Sequence, residues 1–340
     1  MMRLPRFQYR APRSVEEAVL WLAEDPLNTM LLGGGTDVLP NMKRTQQTPA
    51  TLLALRHIQE LSGVTNGNGL TIGAATTLSA VVEDSRVRES HRALWQAAAQ
   101  VATPHLRNMG TVGGNLCLDT RCTYYDQTLE WRQSIGFCMK KDGDTCWVAT
   151  SSPKCLAVSS TDTAPALQAL GARVTLASTQ GTRVIPLAGL YANDGMHYLT
   201  KAADEILTSI SLPDASGWRS AYWKLRRRGS FDFPVAAAAV AVQLDGTCVA
   251  SARIVLGAVA SRPLACDRAA AGLIGHELSD EAIETAASAA SELAKPMDNT
   301  DFELVWRKKM VTSLVRDALR EARGDDVRAR RQRLMRLELV

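Results

Sequence analysis

The sequence lacks the segments that would place a chain in a membrane or export it. No run of about 18 uncharged apolar residues occurs, so we expect no transmembrane helix. The first ten residues, MMRLPRFQYR, carry charges with no apolar stretch behind them, which is not the pattern of a secretory signal. We therefore expect a cytoplasmic protein with no membrane partner.

A concentrated charge of one sign is also missing. The 39 Lys and Arg residues against 35 Asp and Glu residues leave a formal net charge of +4, and the basic residues are scattered. The one dense basic run, Arg328–Arg336, is more typical of a solvated or partner-binding tail than of a nucleic-acid site. We expect no nucleic-acid partner.

Motifs for substrate chemistry are absent as well. The five His residues are dispersed, and no two of them have the helical spacing of a metal site. There is no nucleophile elbow, no Ser–His–Asp arrangement and no molybdopterin motif. We therefore assign no catalytic residue from the sequence.

The length and the order of elements indicate a multidomain α+β protein. A chain of 340 residues is too long for one typical core and suggests two or three domains. Strand-like and helix-like segments are interleaved with β-hairpins, which predicts an α+β class with a boundary near Gly217. Ser14 and Glu17 have the spacing of a capping box, which predicts a helix to about Ala23.

The first glycine-rich loop, Gly33–Asp37, follows an apolar run, Thr29–Leu32, that predicts a short buried strand. Glycines there let backbone N–H groups approach a phosphate, as in an anion-binding nest. The Rossmann fingerprint is incomplete, because Val38 occupies the last glycine position and Pro40 argues against a following helix. By itself the loop is equally consistent with a tight turn.

A second glycine-rich segment, Arg107–Asn115, offers further glycines, a hydroxyl and an amide. Two such loops would hold the two phosphates of one dinucleotide from opposite sides. Arg107 has two interpretations, since it would either neutralise charge there or brace the loop. The pair of loops favours a dinucleotide site more strongly than either loop alone.

Four of the seven Cys residues, Cys122, Cys138, Cys146 and Cys155, concentrate in a segment with little apolar periodicity. An odd number of Cys without an export signal argues against a disulfide framework. The spacings contain no C-x-x-C pair, so an iron–sulfur cluster, a zinc site and unligated thiols all stay open. The segment has too few apolar residues for a core of its own, which favours some ligand as a staple.

Several segments together resemble a known family. They are "FQYRAPRSVEEAV", "LLGGGTD", "LTIGAATTLSAV", "RNMGTVGGNL", "SSTDTAPALQALGARVTL", "KLRRRGSFDFPVAAAAVAV" and "ARIVLGAVASRP", and they span nearly the whole chain. They resemble the flavin-binding medium subunits of the molybdenum hydroxylase family, which includes the xanthine and carbon monoxide dehydrogenases. The resemblance implies FAD as the cofactor and an FAD-binding domain of the vanillyl-alcohol oxidase/MurB type, followed by an α+β C-terminal domain.

The resemblance also implies domain limits. Residues 1–216 would form the FAD-binding domain, with subdomains of about 1–60 and 61–216. A Cys-rich insertion would interrupt it at about 118–156. Residues 217–325 would form the C-terminal domain and 326–340 a basic tail.

The cofactor-binding residues are assigned by the same resemblance, with residues 32–37 and 110–115 holding the pyrophosphate. They are Leu32, Gly33, Gly34, Gly35, Thr36, Asp37, Thr76, Gly110, Thr111, Gly113, Gly114, Asn115, Asp162 and Lys224. Asp162 would lie near the ribose or adenine, or serve as a helix N-cap. Lys224 would lie near the flavin or at the domain interface, or be a solvated strand residue.

Most members of the family lack the Cys-rich insertion in this subunit, but the 4-hydroxybenzoyl-CoA reductases have one that carries a 4Fe–4S cluster. The resemblance to their β subunit implies that the four Cys are its ligands. It further implies a ferredoxin donor, a 2Fe–2S small subunit and a molybdopterin-binding large subunit, in a dimer of heterotrimers. Such an oxidoreductase would remove the phenolic hydroxyl of 4-hydroxybenzoyl-CoA in anaerobic aromatic degradation.

Two alternatives remain. In the first, the chain is the FAD subunit of an oxidising molybdenum hydroxylase of the aldehyde, xanthine or carbon monoxide type, which passes electrons outward. In the second, it is a non-redox binding subunit whose loop is stapled by zinc.

Overall fold

The apolar residues near the N-terminus form the predicted helix. α1 (Val15–Glu24) buries one apolar face, and the Ser14 hydroxyl accepts a hydrogen bond from the Glu17 N–H at 3.1 Å. The Glu17 carboxylate accepts from the Arg13 N–H at 2.7 Å instead of from Ser14, so half of the predicted capping box forms. In this computed structural model residues 3–229 and 231–335 are described, and residues 336–340 of the predicted tail lie outside them.

Twelve strands are found among the described residues. They are β1 (Gln8–Arg10), β2 (Thr29–Leu32), β3 (Thr51–Ala54), β4 (Val64–Gly67), β5 (Gly69–Gly73), β6 (Arg173–Ser178), β7 (Gly181–Pro186), β8 (Ile206–Leu212), β9 (Trp218–Leu225), β10 (Ala236–Asp245), β11 (Cys248–Gly257) and β12 (Leu264–Ala265).

The helices that follow α1 are mostly short. They are α2 (Val38–Lys43), α3 (Leu78–Glu83), α4 (Ser85–Ser90), α5 (Arg92–Ala99), α6 (Pro104–Arg107), α7 (Val112–Leu116), α8 (Leu129–Ser134), α9 (Thr163–Ala169), α10 (Asp267–Ala271), α11 (Asp280–Leu293), α12 (Leu304–Arg323) and α13 (Arg328–Met335). In the part of the chain described here, no helix has both the length and the hydropathy to cross a bilayer.

The strands form three sheets. A small parallel sheet has the order β1-β3-β2, and an antiparallel sheet of five strands has the order β4-β5-β8-β6-β7. The third sheet is antiparallel, with the order β12-β11-β10-β9. Separate parallel and antiparallel sheets with flanking helices confirm the predicted α+β class.

β10 shows how the third sheet joins the rest of the molecule. Its alternate residues Ala237, Ala239 and Ala241 belong to the core of the five-stranded sheet and α5 and α9. Val240 and Val242, which point to the opposite face, belong to the core formed with α11 and α12. Because successive strand residues face opposite sides, this apolar strand is buried between two layers.

The segment after the first glycine loop corrects the sequence expectation. Residues Val38–Lys43 form α2, although Pro40 argued against a helix. Pro40 is in the first turn, where a backbone N–H has no partner within the helix and proline is tolerated. The Rossmann pattern nevertheless does not form, since β2 lies at the edge of a sheet of only three strands.

Candidate cofactor site

The two glycine loops lie directly against each other. A Cβ atom at Gly34 would sit 1.7 Å from the Met109 carbonyl oxygen, and one at Gly33 would sit 2.7 Å from the Thr111 Oγ1. Real Cβ atoms do not come that close, so position 34 accepts only glycine without a backbone shift, and a Cβ at Gly33 would displace the Thr111 side chain. The loops that the sequence predicted to act together are therefore in contact.

The second loop is stabilised by its own hydroxyl. Thr111 precedes α7, and its Oγ1 accepts from the Gly114 N–H at 3.1 Å, as an N-cap residue does. A Cβ atom at Gly113 would meet the Ala74 carbonyl oxygen at 2.7 Å. Arg107 donates to the Val101 carbonyl at 2.8 Å, which supports its bracing interpretation.

The first loop offers backbone donors that fit a phosphate. Gly35 has a φ of +74°, the left-handed conformation that glycine adopts readily. No acceptor in the described part of the chain takes a hydrogen bond from the N–H groups of Gly34, Gly35 or Thr36. Successive free N–H groups in such a turn form an anion-binding concavity, so the residues present fit a diphosphate.

A cavity of about 390 Å³ opens where the loops meet. Five of the predicted cofactor residues line it, namely Gly33, Asp37, Thr111, Gly113 and Gly114. The other predicted residues are not in its wall, and they are Leu32, Gly34, Gly35, Thr36, Thr76, Gly110, Asn115, Asp162 and Lys224. Lining residues that the sequence did not single out include Met30, Gln47, Asp119, Tyr198 and Lys201.

Two of the residues outside the wall join separate segments of the chain, and one of them belongs to the second loop. The Thr76 Oγ1 pairs with the N–H and carbonyl of Gly63, at 2.9 and 3.0 Å. The Asn115 Oδ1 accepts from the hydroxyls of Thr161 and Thr163, at 2.9 and 2.6 Å, and from the Thr163 N–H at 3.1 Å. Asn115 thus ties the second loop to the start of α9.

Asp162 and Lys224 form a buried ion pair, with 2.9 Å between Oδ1 and Nζ. Asp162 also accepts from the Tyr222 hydroxyl at 2.8 Å, and Lys224 donates to the Gln100 carbonyl at 3.1 Å. Burial raises the pKa of Asp162 and lowers that of Lys224, while each charge opposes the shift of the other. Asp162 occupies the N-cap position of α9 without capping it, and the solvated interpretation of Lys224 is wrong.

The first glycine loop is also tied to the Cys-rich segment. Arg121 pairs with Asp37, and its Nη1 lies 3.2 Å from the Asp126 Oδ1. Burial raises the pKa of Asp37, and the Arg121 guanidinium opposes that rise. The Cys-rich segment therefore contributes a charge that balances a residue of the cavity wall.

The four Cys of the segment are free thiols, and each is no more than 7% exposed. Cys122, Cys138 and Cys155 pack in one cluster with Tyr125, and Cys146 is close enough to Cys155 to affect its pKa. Burial raises the pKa of Cys122 to about 12 and that of Cys155 to about 11, although the Lys140 charge opposes the second rise.

Within the described residues, no group of three or more His, Cys, Asp or Glu side chains is arranged to hold a single metal ion. A 4Fe–4S cluster has a separate iron for each of four thiolates, so its ligands need not converge on one ion. The four thiols are buried, but the described residues show no metal-binding group, so the structure does not support the predicted 4Fe–4S cluster or a zinc site.

The buried residues Cys122, Tyr125, Cys138, Cys155 and Ala157 pack together, and we call them the thiol cluster. The thiol cluster and the cavity share a wall. Met196 lines the cavity and packs against the thiol cluster. Tyr125, which belongs to the thiol cluster, donates its hydroxyl to the cavity residue Asp119 at 3.1 Å. The sequence placed the insertion within the cofactor domain, but its contact with the cavity is a product of the fold.

Comparison with known families agrees with this geometry. Residues 5–215 match the family described as "FAD binding domain in molybdopterin dehydrogenase", and residues 220–322 match "CO dehydrogenase flavoprotein C-terminal domain". The chain is an FAD-binding medium subunit of the molybdenum hydroxylase family. As a member of this family, it is a subunit of an oxidoreductase.

Known medium subunits match along nearly their full length. The carbon monoxide dehydrogenase medium chain of Hydrogenophaga pseudoflava is 29% identical over 323 residues, covering 94% of this chain and 97% of its own. The aldehyde oxidoreductase FAD-binding subunit PaoB of Escherichia coli K12 is 29% identical over 326 residues, covering 93% and 99%.

A solved structure of the same type confirms the fold. Carbon monoxide dehydrogenase from Hydrogenophaga pseudoflava, in a form lacking the Mo-pyranopterin moiety of its molybdenum cofactor, superimposes with a TM-score of 0.78 at 28% identity. The match covers 94% of this chain and 98% of that one. The predicted two-part arrangement of an FAD-binding and a C-terminal domain therefore agrees with a known medium subunit.

The narrower resemblance to the 4-hydroxybenzoyl-CoA reductases is not supported by these comparisons. The relatives above are named as a carbon monoxide dehydrogenase and an aldehyde oxidoreductase. They favour the oxidising alternative over the reductive role that the cysteine insertion suggested. The predicted 4Fe–4S cluster likewise has no support from the relatives and rests on the thiols of this chain.

Proposed function

We propose that this chain is the FAD-carrying electron-transfer subunit of an oxidising molybdenum hydroxylase of the aldehyde or carbon monoxide type. The observation that carries the proposal is the cavity at the junction of two glycine loops that fit together only as glycines. The medium subunits named above give the reaction class. In such an enzyme the substrate is oxidised in another subunit, which agrees with the lack of catalytic motifs here.

Residues in the wall of the cavity and beside it have distinct roles toward FAD. The free N–H groups of Gly34, Gly35 and Thr36 donate to the diphosphate, because an anion there satisfies donors that the protein leaves open. Thr111 and Asn115 hold the second loop rigid through the hydrogen bonds described above. When bound, FAD would pass electrons between groups that carry two electrons and groups that carry one.

The domain limits remain part of the proposal. Residues 1–216, with subdomains of about 1–60 and 61–216, would bind FAD, and residues 217–325 would form the C-terminal domain. The partners would be a molybdopterin-binding large subunit and a 2Fe–2S small subunit. A dimer of such heterotrimers, a cytoplasmic location and the absence of nucleic-acid binding stay predictions.

We further propose that Cys122, Cys138, Cys146 and Cys155 hold a 4Fe–4S cluster. Their burial in a segment with one short helix, α8, argues for a ligand that staples the segment. The thiols lie next to the cavity wall. This position favours an iron–sulfur cluster, which exchanges single electrons with FAD, over a zinc ion, which has no redox chemistry.

A second candidate function is 4-hydroxybenzoyl-CoA reduction with a ferredoxin donor. The thiol cluster favours it, because removal of an aromatic hydroxyl needs a low-potential donor and thiolate-ligated clusters reach low potentials. The direction of electron flow separates the two functions. The oxidising enzyme delivers electrons to an acceptor such as NAD, oxygen or a quinone.

The proposal is tested on the full chain, co-expressed with its partner subunits and purified without air. Flavin absorbance, iron and acid-labile sulfide are measured, and the reduced protein is examined by EPR. We expect one FAD and four irons for each copy of this chain beyond the iron of the small subunit. A complex without flavin absorbance refutes the FAD part, and a complex with zinc in place of the four additional irons refutes the cluster part.

The direction of electron flow is tested with the same preparation. Either an aldehyde or carbon monoxide should reduce the flavin and bleach its absorbance in the absence of any other donor. Reduction of 4-hydroxybenzoyl-CoA with reduced ferredoxin, without any response to aldehydes or carbon monoxide, would establish the second candidate.

A further inference from the structure

Two carboxylates lie in the wall of the cavity, Asp37 at the end of the first glycine loop and Asp119 in the Cys-rich segment. Asp37 directly follows Thr36, whose N–H group is one of the free donors that fit a diphosphate. A carboxylate beside a bound diphosphate is a like charge in a site partly shielded from water, so it opposes binding. The cavity therefore suits an anion only if these two charges are offset.

Both carboxylates hold parts of the wall together. Asp37 Oδ2 accepts from Asn41 Nδ2 at 3.0 Å, which joins the first glycine loop to α2. Asp119 Oδ2 accepts from Gln47 at 3.2 Å and from the Tyr125 hydroxyl at 3.1 Å, which joins the segment after α2 to the Cys-rich segment. The wall thus depends on two groups whose charges disfavour an anion.

Each carboxylate has a basic partner from the Cys-rich segment, and neither partner is among the residues that line the cavity. The Arg121 side chain is 11% exposed and pairs with Asp37, and its Nη1 lies 3.2 Å from Asp126 Oδ1. The Lys140 side chain is 6% exposed, and its Nζ lies 2.8 Å from Asp119 Oδ1. Both cations are therefore held close to the wall by buried contacts.

The lysine of the wall itself does not take this role. Lys201 lines the cavity, but its Nζ donates to the carbonyls of Ala202 and Glu205, at 3.2 and 3.1 Å. Within the described residues, the ion-pair partners of the two wall carboxylates are Arg121 and Lys140. The Cys-rich segment is thus the source of both compensating charges.

We propose that Arg121 and Lys140 neutralise Asp37 and Asp119 and thereby let the cavity accept the diphosphate of FAD. This inference rests on the proposed function, because it takes FAD as the ligand. It gives the Cys-rich segment a role that does not depend on any metal. Arg121 and Lys140 act through the carboxylates and are therefore positioning residues.

The test is a titration of the purified complex, stripped of its flavin, with FAD, followed by the quenching of flavin fluorescence. In Arg121→Met the charge of Asp37 is left unpaired, so the dissociation constant of FAD should rise about tenfold or more. Adding Asp37→Asn to that variant removes the unpaired charge and should restore most of the affinity. If the pair only braced the loop, the second substitution would restore nothing.

The other pair gives a second cycle of the same design. Lys140→Met should weaken FAD binding, and Asp119→Asn in the same chain should restore most of it. Arg331→Met is the matched control, because it breaks a partly buried pair with Glu321 and neither residue lines the cavity. It should leave the dissociation constant of FAD unchanged.

The outcomes separate this inference from the proposed function. An unaltered complex that takes up no FAD overturns both. If the unaltered complex binds FAD but Arg121→Met binds it equally well, or the double variant binds no better than the single one, this inference alone is wrong. If Arg121→Met does not fold, Asp37→Asn alone decides. It removes a negative charge beside the diphosphate, so FAD should bind more tightly, and weaker binding overturns the inference.

Discussion

The glycine loops fit together through their backbones, whereas the Cys-rich segment is fixed by its side chains. At Gly34 the clash distance is to a carbonyl oxygen, so no rotamer change relieves it. In the Cys-rich segment the contacts are thiols, the Lys140 ammonium and the Arg121 guanidinium. This difference predicts that the glycine-loop region loses its structure when a side-chain atom is added. The Cys-rich segment should lose its structure when a functional group is removed.

The largest effect is expected from Gly34→Ala. The added methyl group overlaps the Met109 carbonyl, so the loops separate and stability falls by about 3 kcal/mol or more, with loss of FAD. Flavin absorbance and thermal unfolding measure both effects. Gly189→Ala is the matched control, because no atom lies within 4 Å of its added Cβ. Retention of FAD by Gly34→Ala would contradict the backbone account.

The next effect belongs to the Cys-rich segment. Cys155→Ser should remove most of the iron from this chain while FAD is retained, because the glycine loops do not depend on the thiol. Iron analysis and flavin absorbance of the same sample test this. Cys248→Ser, at an exposed thiol, should change neither quantity. Loss of flavin along with the iron would show that the two regions are not independent.

Asn115→Ala tests a side chain within the glycine-loop region. It leaves three donors of Thr161 and Thr163 without their acceptor, so we expect the free energy of unfolding to fall by about 2–3 kcal/mol. Denaturant unfolding gives this value. Asn108→Ala, on an exposed residue of the same segment, should have a much smaller effect. Equal losses would mean that burial of Asn115 is not the cause.

The smallest effects compare one helix cap from each region. Thr111→Val removes the buried cap of α7 and should destabilise the chain by about 1 kcal/mol. Thr128→Val removes the cap of α8, where Thr128 is exposed and water replaces the lost acceptor, so about half that loss is expected. Thermal unfolding of both variants measures the difference, and the reverse order would contradict the comparison.

Much of the glycine-loop region could be predicted from the sequence because its signals are local. An apolar strand followed by glycines predicts a turn with open N–H groups, and β2 and Gly35 form it. The strand was expected to be buried, but β2 lies at the edge of its sheet and its four residues are only half-buried. The resemblance predicted the family, and the comparisons confirmed it. The α+β class followed from the interleaved periods of strands and helices.

Most of the missed features depend on partners far away in the chain. Pro40 is an exception, because its local position in the first turn of α2 makes the missing N–H harmless. Lys224 has no local sign of burial, and only the packing of β9 against α5, together with the ion pair to Asp162, encloses it. Asp119 and Tyr198 line the cavity without belonging to any motif.

The sequence by itself determined that two glycine loops and four clustered Cys residues exist, because backbone freedom and thiol chemistry are properties of residue types. The tertiary structure alone decided that the loops touch, that the thiols adjoin the cavity and that Lys140 and Asp119 form a buried ion pair. Those facts depend on which surfaces the whole chain brings together when it buries its apolar residues.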